Sequence, residues 1–273
     1  MNKGAAAPLF ICNQEGVRPM LKPINQMSWL EVDALDRSRL AYVLPVGSTE
    51  QHGRHLPVGT DDLILQTSLD GLEKHLKTEN TFLRLPTLHY GNSFEHLDFP
   101  GTVTLRTATM LAFVEDLMMC MQRHQVKYLV IVNSHGGNAP VFHAMAQEWG
   151  QRFGIRVFNI DYFGSNFFQD AQPLLQTAIN QDIHGGEIET AYLQYALPQT
   201  VKADFIRPEN DVFVELKNYY YGWLTRDLAP GSGLLGGASR STLETGEKLF
   251  RYVQDKLAGY FHAFDKELND ARK

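Results

Sequence analysis

A chain of 273 residues with 44% hydrophobic content is long enough to bury a substantial core, which argues against a disordered or fibrous protein. Its net charge of −6, without long runs of one sign, argues against a nucleic-acid or anionic-membrane partner. The two cysteines, Cys12 and Cys120, have no CxxC spacing, no apolar run is long enough to span a bilayer, and "MNKGAAAPLFICNQEG" lacks the apolar core of a secretory signal, so the expected setting is the reducing cytoplasm.

In chain order, four short segments rich in branched and aromatic residues read as strands: 40–47, 81–88, 127–134 and 155–163. Between them, residues 62–76, 107–124 and 138–153 carry apolar residues at helical spacing, with Thr60 or Asp61 and Asn138 placed as caps. Residues 243–264 read as a long closing helix, and 205–237 as a loop-rich aromatic segment suited to a lid or a subunit contact. Strand–helix alternation predicts one α/β domain over 1–273, with right-handed crossovers and a mostly parallel sheet covered on both faces.

That layout gives the polar clusters a common address, because loops at the carboxyl ends of parallel strands line the ligand crevice. Glu50, His52 and Asp61 follow the first strand in "VLPVGSTEQHGRHLPVGTDD", and His135 follows the third in "NSHGGN". "DIHGGEIET" adds His184, Glu187 and Glu189 at the start of another helical run. Each cluster alone has a plainer reading: a solvated loop for E-x-H, a glycine turn for Gly136 and Gly137, a helix-dipole partner for Glu187. Three such arrangements on one rim point to metal binding. His55, His89 and His96 are weaker candidates, and no P-loop ending accompanies the glycines.

The motifs "GSTEQHGRHLPVGTD", "NSHGGN" and "HGGEIET", with "YGNSFEHLDFPGTVTL" between them and "GLLGGASRSTLETGEKL" after them, resemble those of the creatininase family of amidohydrolases. The resemblance implies a three-layer α/β/α fold, two divalent metal ions per chain (zinc, manganese or iron), a small-molecule amide or cyclic amide as substrate, and a homohexamer. It places the metal ligands on Glu50, His52, Asp61 and His135, with Asp61 bridging, and the catalytic proton transfer on His184. Creatininases proper supply a Glu two residues after the second-motif His, where this chain has Gly137. The reading carried forward assigns that ligand to Glu187, a swap resembling the branch of formamide hydrolases and the mycofactocin-maturation peptidase. Glu189 has two readings, orienting His184 or closing the helix turn, and the structural one is favoured.

The resemblance thus implies amide hydrolysis by metal-activated water, with no Ser or Cys nucleophile; the backbone N–H groups of Gly136 and Gly137 are candidates to hold the oxyanion. A non-catalytic metal-containing binder and a two-metal phosphoesterase are the rival readings. Asn180 stands where creatininases proper place a tryptophan, and Arg54 where the family has proline. Together they predict that creatinine is not the preferred substrate and that a carboxylate or phosphate lies near the scissile amide.

Overall fold

A computed structural model describes residues 21–74, 76–163, 166–216 and 222–272. The N-terminal stretch read for a signal sequence and residues 217–221 of the loop-rich segment lie outside the described residues. The strands are β1 (Leu21–Pro23), β2 (Leu40–Val46), β3 (Thr81–Arg84), β4 (Tyr128–Asn133) and β5 (Arg156–Asp161). All pair in parallel in the order β1-β3-β2-β4-β5. The helices are α1 (Trp29–Asp33), α2 (Thr60–Glu73), α3 (Thr107–Arg123), α4 (Ala139–Phe153), α5 (Glu187–Ala196), α6 (Thr225–Leu228) and α7 (Leu243–Asp270).

Sheet pleating divides the core in two. Ala41, Val43, Val130 and Val132 face a layer built from α2, α5 and α7, whereas Leu40, Tyr42, Leu44, Leu129 and Ile131 face α3 and α4. Central β2 is buried along its whole length, which is why it reads as an unbroken apolar run rather than an alternating one. The result is the expected three-layer sandwich.

The differences from the sequence reading are local. Strand β3 stops at Arg84 rather than reaching residue 88, because Pro86 has no N–H to give a ladder. Strand β1 has three residues, too few to show a period. Helix α7 runs to Asp270, keeping Leu268 buried beyond the expected end at 264. The expected caps do not act as caps. The Thr60 hydroxyl donates to the Pro57 carbonyl at 2.7 Å. Asn138 instead ties three loops together: its Oδ1 accepts from Asn92 N at 2.8 Å, and its Nδ2 donates to Gly47 O at 3.1 Å and Asn133 Oδ1 at 3.0 Å. Among the described residues no helix is long and apolar enough to cross a membrane.

Candidate metal centre

Because every strand of the sheet points the same way, the loops after β2, β3 and β4 meet at one edge, and the segment leading into α5 closes over them. Glu50, His52, Asp61, His135, His184 and Glu189 are all buried there. Asp61 Oδ1 lies 3.4 Å from His52 Nε2 and Asp61 Oδ2 lies 3.6 Å from His135 Nδ1. Glu50 Oε1 is 3.2 Å from His135 Nδ1 and 3.6 Å from His184 Nδ1, and Glu189 Oε1 is 3.5 Å from His52 Nε2. Three sets of donor atoms fall within 4.8 Å of one another: Glu50, Asp61 and His135; His52, Asp61 and Glu189; Glu50, His52 and His184.

The hydrogen bonds decide which histidine nitrogen faces the cluster. A backbone carbonyl only accepts, so the ring nitrogen bonded to one must carry hydrogen. His52 Nδ1 donates to Glu50 O at 3.1 Å, His135 Nε2 to Asn92 O at 2.9 Å, and His184 Nε2 to Gln51 O at 2.5 Å. In each neutral ring the remaining nitrogen presents a lone pair to the carboxylates. Lone pairs aimed at anions need something positive between them. Glu50 Oε1, His52 Nε2 and Asp61 Oδ2 are buried without a hydrogen-bond partner. Unpaired buried polar atoms are costly, and this donor set of imidazoles and carboxylates suits divalent cations such as zinc, manganese or iron. The backbone carbonyls are the outer partners that fix ligand histidines in metal sites.

The titration behaviour follows from the same geometry. Burial works against charge on His135, yet Glu50 and Asp61 outweigh it and raise its pKa to about 10. His52 is likewise held well above the imidazole range against burial, by Asp61 and Glu189. Without metal, protons on these two rings would carry the positive charge that the carboxylates favour. His184 goes the other way: burial, helped by His52, lowers it to about 4.

One residue expected in the cluster from the sequence, Glu187, lies outside it. The Glu187 carboxylate is turned away from the cluster and accepts from the backbone N–H of Gln176 at 3.0 Å and of Thr177 at 2.6 Å. Residues two apart on a helix project in nearly opposite directions, so α5 sends Glu189 to His52 and Glu187 into the protein. Glu189 also closes the turn, its Oε2 accepting from Gly185 N at 2.5 Å. Gly185 holds φ +65° there, and a Cβ would lie 3.2 Å from the His52 backbone. Position 137 has no room for the carboxylate of creatininases proper, since a Cβ on Gly137 would stand 2.3 Å from Asn92 O and 2.6 Å from His135 Nε2.

His96, a weak candidate from sequence, sits in the site. The Gln51 amide accepts from Gly53 N through Oε1 and donates to Gly233 O through Nε2, which fixes its orientation. Its Nε2, 3.0 Å from His96 Nδ1, must therefore donate, leaving the His96 proton on Nε2, 3.4 Å from Glu50 Oε1. His96 turns that N–H toward a cluster carboxylate without a hydrogen bond to it, and its ring stacks on His184 with centres 3.9 Å apart. Its place after β3 was the available signal. His55 and His89 are engaged elsewhere, with Thr190 and Asp62.

A cavity of about 580 Å³ opens onto Asp61, His135, His184 and Glu189, with Phe163 and Trp223 among its walls. Aromatic wall therefore comes from the end of β5 and from the loop-rich segment, with Asn180 not among the lining residues. Arg54 does not reach the cavity: its guanidinium is at the surface, donating to Gly231 O at 2.7 Å.

The family described as "Creatininase: Creatinine amidohydrolase" matches residues 25–261. The chain belongs to the creatininase family. This family member is 30% identical over 234 residues to a mycofactocin precursor peptide peptidase of Mycolicibacterium smegmatis, covering 83% of this chain and 86% of that one. It is 27% identical over 258 residues to a creatinine amidohydrolase of Pseudomonas putida, covering 86% and 94%. A creatininase variant of the Zn-Zn type shares the fold with a TM-score of 0.74 at 23% identity, over 90% of this chain and 98% of that one.

Proposed function

We propose that this creatininase-family protein is a metal-dependent hydrolase that cleaves the carbon–nitrogen bond of a small amide. One observation carries the reading: three buried histidines each tie one N–H to a backbone carbonyl and aim the other nitrogen at buried carboxylates, of which Glu50 Oε1 and Asp61 Oδ2 have no hydrogen-bond partner. The relatives' names, a creatinine amidohydrolase and a precursor peptide peptidase, both denote cleavage of such bonds. Glu50, Asp61 and His135 would hold one cation and His52, Asp61 and Glu189 a second, Asp61 being common to both sets. Divalent ions there supply Lewis acidity toward the substrate carbonyl and lower the pKa of water.

The chain's own groups supply the rest. His184, anchored through Nε2, lines the cavity with Nδ1 turned to the cluster, 3.6 Å from Glu50 Oε1. Lowered to about 4 by burial, it is neutral at pH 7 and able to take a proton from attacking water and return it to the leaving nitrogen, so that amide and water become acid and amine. Gly136 and Gly137 line the cavity, and as the first residues of a 3-10 turn their N–H groups have no intrahelical partner and suit a developing oxyanion. No lysine or arginine is among the described residues lining the cavity, which disfavours a phosphoesterase needing a basic clamp. We infer a cytoplasmic homohexamer, tested by native mass measurement and cell fractionation.

The test is hydrolysis of formamides, cyclic amides, cyclic ureas and short peptides by protein loaded separately with zinc, manganese and iron. Turnover of at least one amide, abolished by chelator and restored by metal, is expected. Bound metal with no turnover across the panel would favour the non-catalytic binder.

A further inference from the structure

The cavity over the cluster shares Phe163 and Ile183 with a neighbouring second cavity of about 340 Å³. The polar side chains turned to that second space are mainly carboxamides: Asn166 and Gln169 from the 3-10 segment Asn166–Leu174, and Asn180 from the turn Ile179–Gln181. All three are exposed, and none of the three amides has a hydrogen-bond partner among the described residues. Phe168 and Ile188 supply apolar wall.

The charge balance of this space is specific. No lysine or arginine lines it among the described residues, so an anion would find no counter-charge. Its one carboxylate, Asp182, is already occupied: Oδ1 accepts from Glu187 N at 2.7 Å and Oδ2 from Ile188 N at 2.8 Å, holding the start of α5. A cation would therefore find no free carboxylate. What remains are three groups that each donate and accept hydrogen bonds. Asn180 lies four residues before His184 on the same segment, and Phe163 and Ile183 line both spaces, so the two cavities adjoin.

We propose that the second cavity is a substrate subsite for an uncharged, hydrogen-bonding substituent carried by the amide whose scissile bond lies over the cluster. The proposal rests on the hydrolase reading for what fills the first cavity. It replaces the anionic substituent expected from Arg54, which faces solvent.

Three ketone probes test it, each with a methylene in place of the scissile nitrogen and differing only at the far end: primary carboxamide, carboxylate or methyl. On zinc-loaded protein, calorimetry should show the carboxamide probe binding about tenfold or more tighter than the other two, the scale of one or two well-made polar contacts. In Asn180→Leu and in Gln169→Leu, both exposed positions whose change is checked for folding by circular dichroism, that preference should shrink severalfold. Equal binding of the three probes, or an undiminished preference in both variants, overturns the subsite. The matching amides separate the two readings. A carboxamide preference in binding without hydrolysis of any amide retains the subsite and rejects the hydrolase, whereas hydrolysis of all three amides at one efficiency retains the hydrolase and rejects the subsite.

Discussion

The loop after β2 and the segment before α5 carry similar residues, yet the structure uses them differently. From the β2 loop, Glu50, His52 and Asp61 all converge on the cluster. From the α5 segment, His184 and Glu189 do so while Glu187 and Asp182 hold backbone N–H groups of neighbouring turns. An irregular loop can turn successive side chains to one point; a helix start cannot, because its period assigns alternate residues to opposite sides. The lesson is that a ligand-rich motif has to be read with the backbone period of the element that carries it.

The most severe way to break the β2 loop is Glu50→Gln, since Glu50 Oε1 faces His96, His135 and His184. Outer-shell changes in metal sites cost about ten- to a hundredfold, and loss of this inner carboxylate should exceed that in turnover and remove metal by elemental analysis.

The α5 comparison is sharpened by a pair. Glu189→Gln should lower metal content and turnover with little change in folding. Glu187→Gln should keep the metal but cost about 1–3 kcal/mol of stability by denaturant titration, as expected when buried backbone donors lose a charged acceptor. Metal loss in Glu187→Gln with full retention in Glu189→Gln would reverse the assignment.

Protons provide a third test. With His135 raised to about 10 and His52 well above the usual imidazole range, both carry protons near pH 7 when metal is absent. Metal uptake should release protons, and affinity should fall as pH falls, by about tenfold per unit for each proton displaced. Calorimetry in buffers of different ionisation heat measures the count.

A smaller effect belongs to His96→Phe, which removes the polar N–H that faces Glu50 while keeping a ring against His184: roughly a tenfold loss of metal affinity, with no loss of fold. The smallest is Arg54→Ala. Its guanidinium sits on a surface carbonyl, so substrate preference should stay within about twofold, the range of ordinary surface substitutions.

The sequence by itself determined the parallel α/β sandwich, because apolar runs and helical periods are local, and it determined that Glu50, His52, Asp61, His135 and His184 would lie on one rim, because parallel strands share a carboxyl edge. Strand β1 escaped it through shortness, and the β3 end through the reach assigned past Pro86. Only the tertiary structure decided that Glu189 rather than Glu187 turns to His52, that Gly137 has no space for a side chain, and that His96 and Trp223 belong to the cavity while Arg54 does not. Those outcomes depend on side-chain direction and on contacts between segments far apart in the chain, such as the 3.0 Å approach of Gln51 to His96. No spacing within one motif encodes them.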